Sequence, residues 1–325
     1  MRTVRRARVI RERVTLSAMP ALELTDASVE IRALDLAFGT EVVRARDASA
    51  KAPTVLVIHG LNSHVGNPNV RALTVALAKR GARAVTFDLP GHGTCVDASG
   101  TDAQGVYTGK EEVVERARAT LDAVGGEDTA AAVSICGSSL GGALALYVAE
   151  VLRREGRWKI ERVVLINPLM KMKMSLPSVA VGALSLLARF IPRLEVSSRP
   201  TDVITDDVTG PDIDPDAQAQ CDADDLSWKK GVTLRTACGI YDVVGANDRA
   251  NALVNLSFEV PILVLLGARD TVVIPDEARD KAKLAVSAGG KAEVRIFPTA
   301  GHSLTLQSLA KREEMFDLVA HWRWK

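Results

Sequence analysis

The sequence predicts an α/β protein, a mostly parallel sheet covered by helices on both faces and interrupted by one long insertion. Two observations carry this. Short β-branched apolar runs alternate with longer helical patterns along most of the chain, as buried parallel strands joined by crossover helices require. The alternation then stops after Ile166, and no buried strand is expected from Leu169 to about Thr236. Taken in order, Ser28–Leu36 and Thr40–Arg46 are amphiphilic runs split by Phe38-Gly39 and read as an antiparallel hairpin. Thr54–Ile58 is a buried strand, Asn69–Arg80 a helix stopped by Gly81, and Arg83–Phe87 the next strand. Lys110–Ala123 reads as a helix, Ala130–Cys136 as a strand, Leu140–Arg154 as a helix, and Arg162–Ile166 as a strand ending at Asn167-Pro168. The pattern resumes with a strand at Ile262–Leu266, a helix near Asp276–Ala288, a strand at Ala292–Phe297 and a last helix after Gly301. The insertion has an apolar first part rich in Met and Leu, Met170 to Ile191. Its second part, Thr201 to Asp225, holds nine aspartates and neither Lys nor Arg, and reads as a solvated face.

Composition narrows the class. A chain of 325 residues, 47% apolar and 25% charged, is an ordinary globular one, which excludes disordered, collagenous and coiled-coil proteins. Forty-one basic against 40 acidic side chains leave a net charge of +1 and no electrostatic case for nucleic acid as a partner. Cys95, Cys136, Cys221 and Cys238 form no Cys-x-x-Cys pair, so neither a zinc site nor a disulfide framework is expected, and a reducing cytoplasm is the simpler setting. Six arginines stand in the first thirteen residues with no apolar stretch behind them, unlike a secretory signal. They could touch an acidic membrane surface, although a basic strand or arm is the plainer reading. The longest mostly apolar run, Val179 to Ala188, is far short of the roughly 18 residues a membrane span needs, so stable membrane insertion is not expected. Oligomeric state is not legible.

The chemistry centres on Gly137-Ser138-Ser139-Leu140-Gly141, a G-x-S-x-G pattern between a strand and a helix. A serine on such a turn projects its oxygen from the top of the sheet. Ser139, the central residue, is the nucleophile candidate; the competing reading is a helix N-cap. A nucleophilic serine needs a base, and the base needs an orienting acid. His302 follows the last strand and Asp270 follows Ile262–Leu266, so all three fall on loops after strands, where open α/β sheets place their ligands. Asp276 competes with Asp270, but after Pro275 it reads as a first-turn helix acid. The developing oxyanion needs backbone donors: Leu140 N–H, after the nucleophile, and Leu61 N–H in the loop after Thr54–Ile58. In that loop His59 reads as a support. His64 is a candidate for the substrate cleft, although loop support or helix capping is favoured. Asp88 and His92, in Asp-Leu-Pro-Gly-His-Gly, read as structural, and His321 as structural or exposed. Met170, Met172 and Met174 offer a deformable apolar surface suited to an acyl chain, or form the insertion's own core.

Together these residues resemble the α/β-hydrolase superfamily. The segment His59-Gly60-Leu61-Asn62-Ser63-His64-Val65-Gly66 is similar to the His-Gly-x-x-x-His-x-Gly loop of monoacylglycerol lipases and lysophospholipase-like esterases of the serine aminopeptidase-like group. The Asp88–Gly93 loop, the Ser139 turn, Gly267-x-x-Asp270 and Gly301-His302-Ser303 match as well. The family often has Ser where this chain has Cys95, and His and Met where it has Ser138 and Leu140. The resemblance implies an α/β-hydrolase fold with a mostly parallel eight-stranded sheet. It implies a core from residues 1–168 and 237–325, and a helical cap from residues 169–236. Asp224-Asp225-Leu226 and the helix after it resemble the return from the cap. The implied function is hydrolysis of carboxylic esters of mono-acyl lipids or another medium to small ester, through an acyl-enzyme, with neither metal nor cofactor. The same triad could instead serve a thioesterase, amidase or acyltransferase, or the fold could be a non-catalytic binder. A dehalogenase-like reaction would need a carboxylate where Ser139 stands.

Overall fold

A computed structural model describes residues 22–49, 51–93, 105–125, 132–174, 176–197 and 213–324. The N-terminal arginines, Cys95 and the acidic stretch up to Asp212 lie outside them.

Strands β1 (Val29–Ala33) and β2 (Thr40–Ala45) form the leading hairpin, with Val29 opposite Ala45. They are followed by β3 (Thr54–Ile58), α1 (Pro68–Lys79), β4 (Arg83–Phe87), α2 (Lys110–Gly125), β5 (Ala132–Ser138), α3 (Leu140–Glu155) and β6 (Lys159–Ile166). Helix α1 starts where the sequence instructs it to: Asn67 accepts the Asn69 N–H and Pro68 opens the first turn. Between β6 and the next long strand lie α4 (Ser178–Leu187), β7 (Glu195–Ser197), α5 (Pro215–Asp222), β8 (Val232–Thr233), α6 (Leu234–Arg249) and α7 (Ala252–Ser257). The chain closes with β9 (Ile262–Gly267), α8 (Pro275–Ser287), β10 (Ala292–Phe297), a 3-10 turn at Leu304–Leu306 and α9 (Leu309–His321). Helix α6 begins at Leu234, so the expected boundary between residues 236 and 237 falls inside its first turn.

One eight-stranded sheet runs β1-β2-β4-β3-β5-β6-β9-β10. The hairpin joins antiparallel and every pair from β4 to β10 is parallel. Strands β3 and β9 are buried at every residue, because helices cover both faces and leave no polar alternate positions. Residues of α2, α3, α6, α7 and α8 pack on one face and those of α1 and α9 on the other. The chain leaves β3 for β4 on one side and returns to β5 on the other. The loops after β3 and β5 therefore part at the point where open sheets bind ligands. Across the insertion, β6 pairs directly with β9, Val163 facing Ile262.

Two buried charges pin outer elements to this frame. The Arg162 guanidinium donates to the Val319 and Ala320 carbonyls at 2.9 and 2.8 Å and also to the Trp322 carbonyl, capping the end of α9 from within the core. Burial holds it down to about 10. Asp214 caps α5, accepting from Asp216 and Ala217, and pairs with Arg312 of α9 at 3.2 Å.

Candidate active site

Ser139 stands between β5 and α3 with φ +55° and ψ −121°, a region where a side chain costs on the order of 1–3 kcal/mol and persists only when its surroundings fix it. They do so here. Ser139 N–H donates to Ile166 O, and Ser139 O accepts from Leu169 and Gly142, at 2.9–3.0 Å. The flanking glycines are required by space: a Cβ on Gly137 would lie 2.1 Å from Gly141 O, and one on Gly141 2.1 Å from Ile58 O. The Ser139 side chain makes no capping bond to α3, which removes the helix-cap reading.

Asp270 follows β9 with its side chain wholly buried. One carboxylate oxygen accepts the Val272 and Val273 N–H groups at 2.8 and 3.0 Å. The other lies 2.7 Å from His302 Nδ1. With Nδ1–H donating to the carboxylate, His302 Nε2 is the nitrogen left to act as a base. His302 and Ser139 line one cavity of about 1210 Å³. Among the described residues no hydrogen bond joins them, and such contacts often tighten only around substrate. Asp276 takes no part: it is exposed in the first turn of α8 and pairs with Arg279 at 2.9 Å.

Leu61 and Leu140 line the same cavity. Neither backbone N–H has a hydrogen-bond partner among the described residues, so both remain available to an oxyanion. His59 shapes the first of these loops. Its Nε2 accepts the Leu89 N–H at 3.0 Å and its Nδ1 donates to Gly60 O at 2.8 Å. Burial, helped by neighbouring His92, holds this imidazole well below its usual range, so it is neutral. His92 is likewise buried, held down to about 4, with Nδ1 against Pro90 O. Asp88 accepts the Val65 N–H. Both support the loop.

Two expected substrate contacts are corrected. His64 is 4% exposed and does not line the cavity; its Nε2 lies 2.7 Å from Asp224 Oδ2, a bond that turns the ring into the protein. Met170, four residues past the end of β6, is 6% exposed, packs in the main core and does not line the cavity. Met172 and Met174 do line the cavity. The wall beside them is apolar and comes from α4 and α6, with Val181, Leu184 and Leu234. The wall from α1, α5 and the 3-10 turn mixes apolar Val70, Leu73 and Leu306 with polar Asn69, Gln218, Asp222 and Thr305. Cys136 and Cys221 also face the cavity, and burial pushes both thiols up to about 12, which keeps them inert. Among the described residues, no three His, Cys, Asp or Glu side chains gather to hold a metal, and no helix is long and apolar enough to cross a membrane.

Sequence reasoning missed Asn167. It ends β6 at φ +41°, a conformation Asn tolerates. Its side-chain oxygen accepts the Gly267 N–H at 2.7 Å, and its amide donates to Gly301 O and His302 O at 3.2 and 2.6 Å. One buried amide thus ties the loop of Asp270 to the loop of His302. Asn167→Asp would set an oxygen against those two carbonyls while keeping the size. Turnover should fall about 10- to 100-fold, the cost of a misplaced reacting group. Stability should drop by about 1–3 kcal/mol. Steady-state kinetics and urea unfolding read the two effects, and wild-type values in both would show that the clamp is idle.

A serine on a strained strand-to-helix turn, with Asp and His on loops after later strands of a mostly parallel sheet, defines the α/β-hydrolase class. Residues 49–308 match the family model Hydrolase_4, described as serine aminopeptidase, S33, and the chain belongs to that family of enzymes. No curated protein matches the chain. Solved structures that share the fold include a soluble variant of monoglyceride lipase from Saccharomyces cerevisiae in complex with a substrate analog. It is 18% identical, with a TM-score of 0.69, over 93% of this chain and 97% of that one. A monoacylglycerol lipase from Paleococcus ferrophilus is 23% identical, with a TM-score of 0.63, over 83% and 95%. A thermostable carboxyl esterase from Bacillus coagulans in complex with glycerol is 14% identical, with a TM-score of 0.69, over 91% and 97%.

Proposed function

We propose that the protein is a serine hydrolase of carboxylic esters acting on mono-acyl lipids. The observation that carries the reading is the 2.7 Å bond from His302 to the buried Asp270 in a cavity shared with the Ser139 turn. Ser139 Oγ attacks the ester carbonyl as His302 Nε2 takes its proton. The Leu61 and Leu140 N–H groups stabilise the oxyanion. His302 then returns the proton to the leaving alcohol, and water hydrolyses the acyl-enzyme by the same steps in reverse order. Asp270 keeps the proton of the neutral ring on Nδ1 and stabilises the imidazolium that forms.

The acyl part of the reading is supported by the apolar wall of Met172, Val181, Leu184 and Leu234, and the alcohol part by the polar side chains Asn69, Gln218 and Thr305 on the mixed wall. Both walls include residues of the insertion, which supports reading residues 169–236 as a cap that selects substrate. Free Cys136, Cys221 and Cys238 suit a reducing cytoplasm.

p-Nitrophenyl esters of rising chain length, run beside monoacylglycerols with Ser139→Ala as the blank, test the reading. Each methylene added along the apolar wall should raise kcat/KM about 2- to 4-fold until the cavity is filled, from about 0.8 kcal/mol per buried CH₂. Activity confined to acetate would overturn the lipid assignment and leave a small-ester hydrolase.

A further inference from the structure

The loop that carries Leu61 is anchored twice, and the second anchor reaches into the insertion. The first is His59, described above. The second is His64. Its Nδ1 accepts the Gly66 N–H at 3.1 Å, so the ring proton sits on Nε2, which donates to Asp224 Oδ2 at 2.7 Å. Asn62 lies between the anchors at φ +65°, a bend that turns the backbone next to Leu61. Asp224 follows α5. It also accepts from Asn67 Nδ2 at 3.0 Å, Ser227 Oγ at 2.8 Å and the Leu226 N–H at 3.1 Å. Burial pushes this carboxyl up, but the hydrogen bonds it accepts from Ser227, His64 and the Leu226 N–H outweigh it and hold it below its ordinary range. Neither His64 nor Asp224 lines the cavity, whereas Ser227 does. A bonded chain therefore runs from the cavity wall through Ser227, Asp224 and His64 to the loop that presents Leu61.

We propose that His64 and Asp224 are a positioning pair that sets the Leu61 N–H for the oxyanion, so that this donor is in place only when the segment around Asp224 is seated on the core. The inference rests on the reading of Ser139 as nucleophile and Leu61 as donor. An apolar pair could hold the two segments together equally well. An imidazole with a fixed tautomer and donors at defined angles also sets the direction of the loop, and direction is what an oxyanion donor needs. Because the pair stands outside the cavity, its loss should act on the transition state and leave substrate binding nearly intact.

The test uses the full chain with His64→Ala, Asp224→Ala, the double variant and His64→Gln, whose amide reaches the position of Nε2. On a p-nitrophenyl ester, each single alanine variant should lower kcat about 10- to 100-fold, less than the about 10²–10³ for outright loss of a donor, with KM moved less than about 3-fold. The double variant should be no worse than either single, as expected for two ends of one bond. His64→Gln should recover most of kcat. Fluorophosphonate labelling of Ser139 should slow in step. Single variants with wild-type kcat, losses that multiply in the double variant, or an effect confined to KM would each overturn the pair. If an alanine variant does not fold, His64→Gln decides: near-wild-type kcat supports the pair, and a loss as large as that of Asp224→Glu overturns it. Wild-type protein without Ser139-dependent labelling or ester turnover would overturn the proposed function and this inference with it. Wild-type labelling beside unaffected variants would overturn the pair alone.

Discussion

Ser139→Ala will lower kcat for ester hydrolysis about 10⁴- to 10⁶-fold, leaving only what the backbone donors and binding supply. The effect should be nearly pure chemistry. The hydroxyl makes no bond to α3, so removing it leaves no buried partner unsatisfied. Alanine keeps the Cβ, so the strain at φ +55° is unchanged, and the bonds that fix the turn are backbone bonds to Ile166, Leu169 and Gly142. The melting temperature should therefore move by no more than a few degrees, the shift of a change below about 1 kcal/mol. Fluorophosphonate labelling should vanish while substrate binding persists. Turnover surviving in this variant would move the nucleophile elsewhere and end the serine-hydrolase reading.

Asp270→Asn should cost about 10⁴-fold in kcat with the fold retained. The two oxygens of Asp270 do different work. Oδ1 holds the Val272 and Val273 N–H groups, which fixes the plane of the group, and Oδ2 faces His302 Nδ1 at 2.7 Å. In the asparagine variant the oxygen stays with the two N–H groups, and the amide nitrogen must face Nδ1. Two donors cannot share that line, so the ring proton moves to Nε2, where His302 can no longer accept from Ser139. Circular dichroism and melting should stay near wild type. A loss below about 10-fold would remove Asp270 from the orienting role.

Much of this arrangement was legible because its signals are local. Thr54–Ile58, Arg83–Phe87 and Ala292–Phe297 are strands at the bounds read from their apolar runs and flanking turn residues. Ser139, Asp270 and His302 read as a triad because each follows such a strand, and the structure brings His302 within 2.7 Å of Asp270 and sets Ser139 and His302 on one cavity. Elements whose order comes from distant partners escaped. Strand β6 begins at Lys159 rather than Arg162, since Lys159-Ile160-Glu161 lacks an apolar run and is strand only because it pairs with the start of β5. Helix α6 is expected only through the family resemblance, as the helix after Asp224-Asp225-Leu226; its own pattern is weak, because Gly239, Gly245 and its β-branched residues are poor helix formers. Packing reverses the sense of Gly239: a Cβ there would come 2.7 Å from the Tyr107 ring. Asn167 looked like a plain strand end before proline, and His64 like a loop support or a cavity residue with no sign of Asp224. Their partners lie 100 or more positions away, and no window along the chain contains both ends.

The pairing of β6 with β9 across the insertion also bears on how the chain reaches this state. The middle of the sheet cannot close until the residues after Ile262 exist, which at about 5–20 residues per second is roughly 5–20 s of synthesis after Ile166 emerges. Through that interval the open edge of β6, Val163 to Ile166, offers an unpaired and wholly apolar backbone ladder, the kind of surface that recruits chaperones or aggregates. Non-local closures of this length are also the slow ones in refolding. On the proposed mechanism, Ser139 is thus translated long before Asp270 and His302, and the nascent chain carries its serine without the pair that would activate it until the last strands are added.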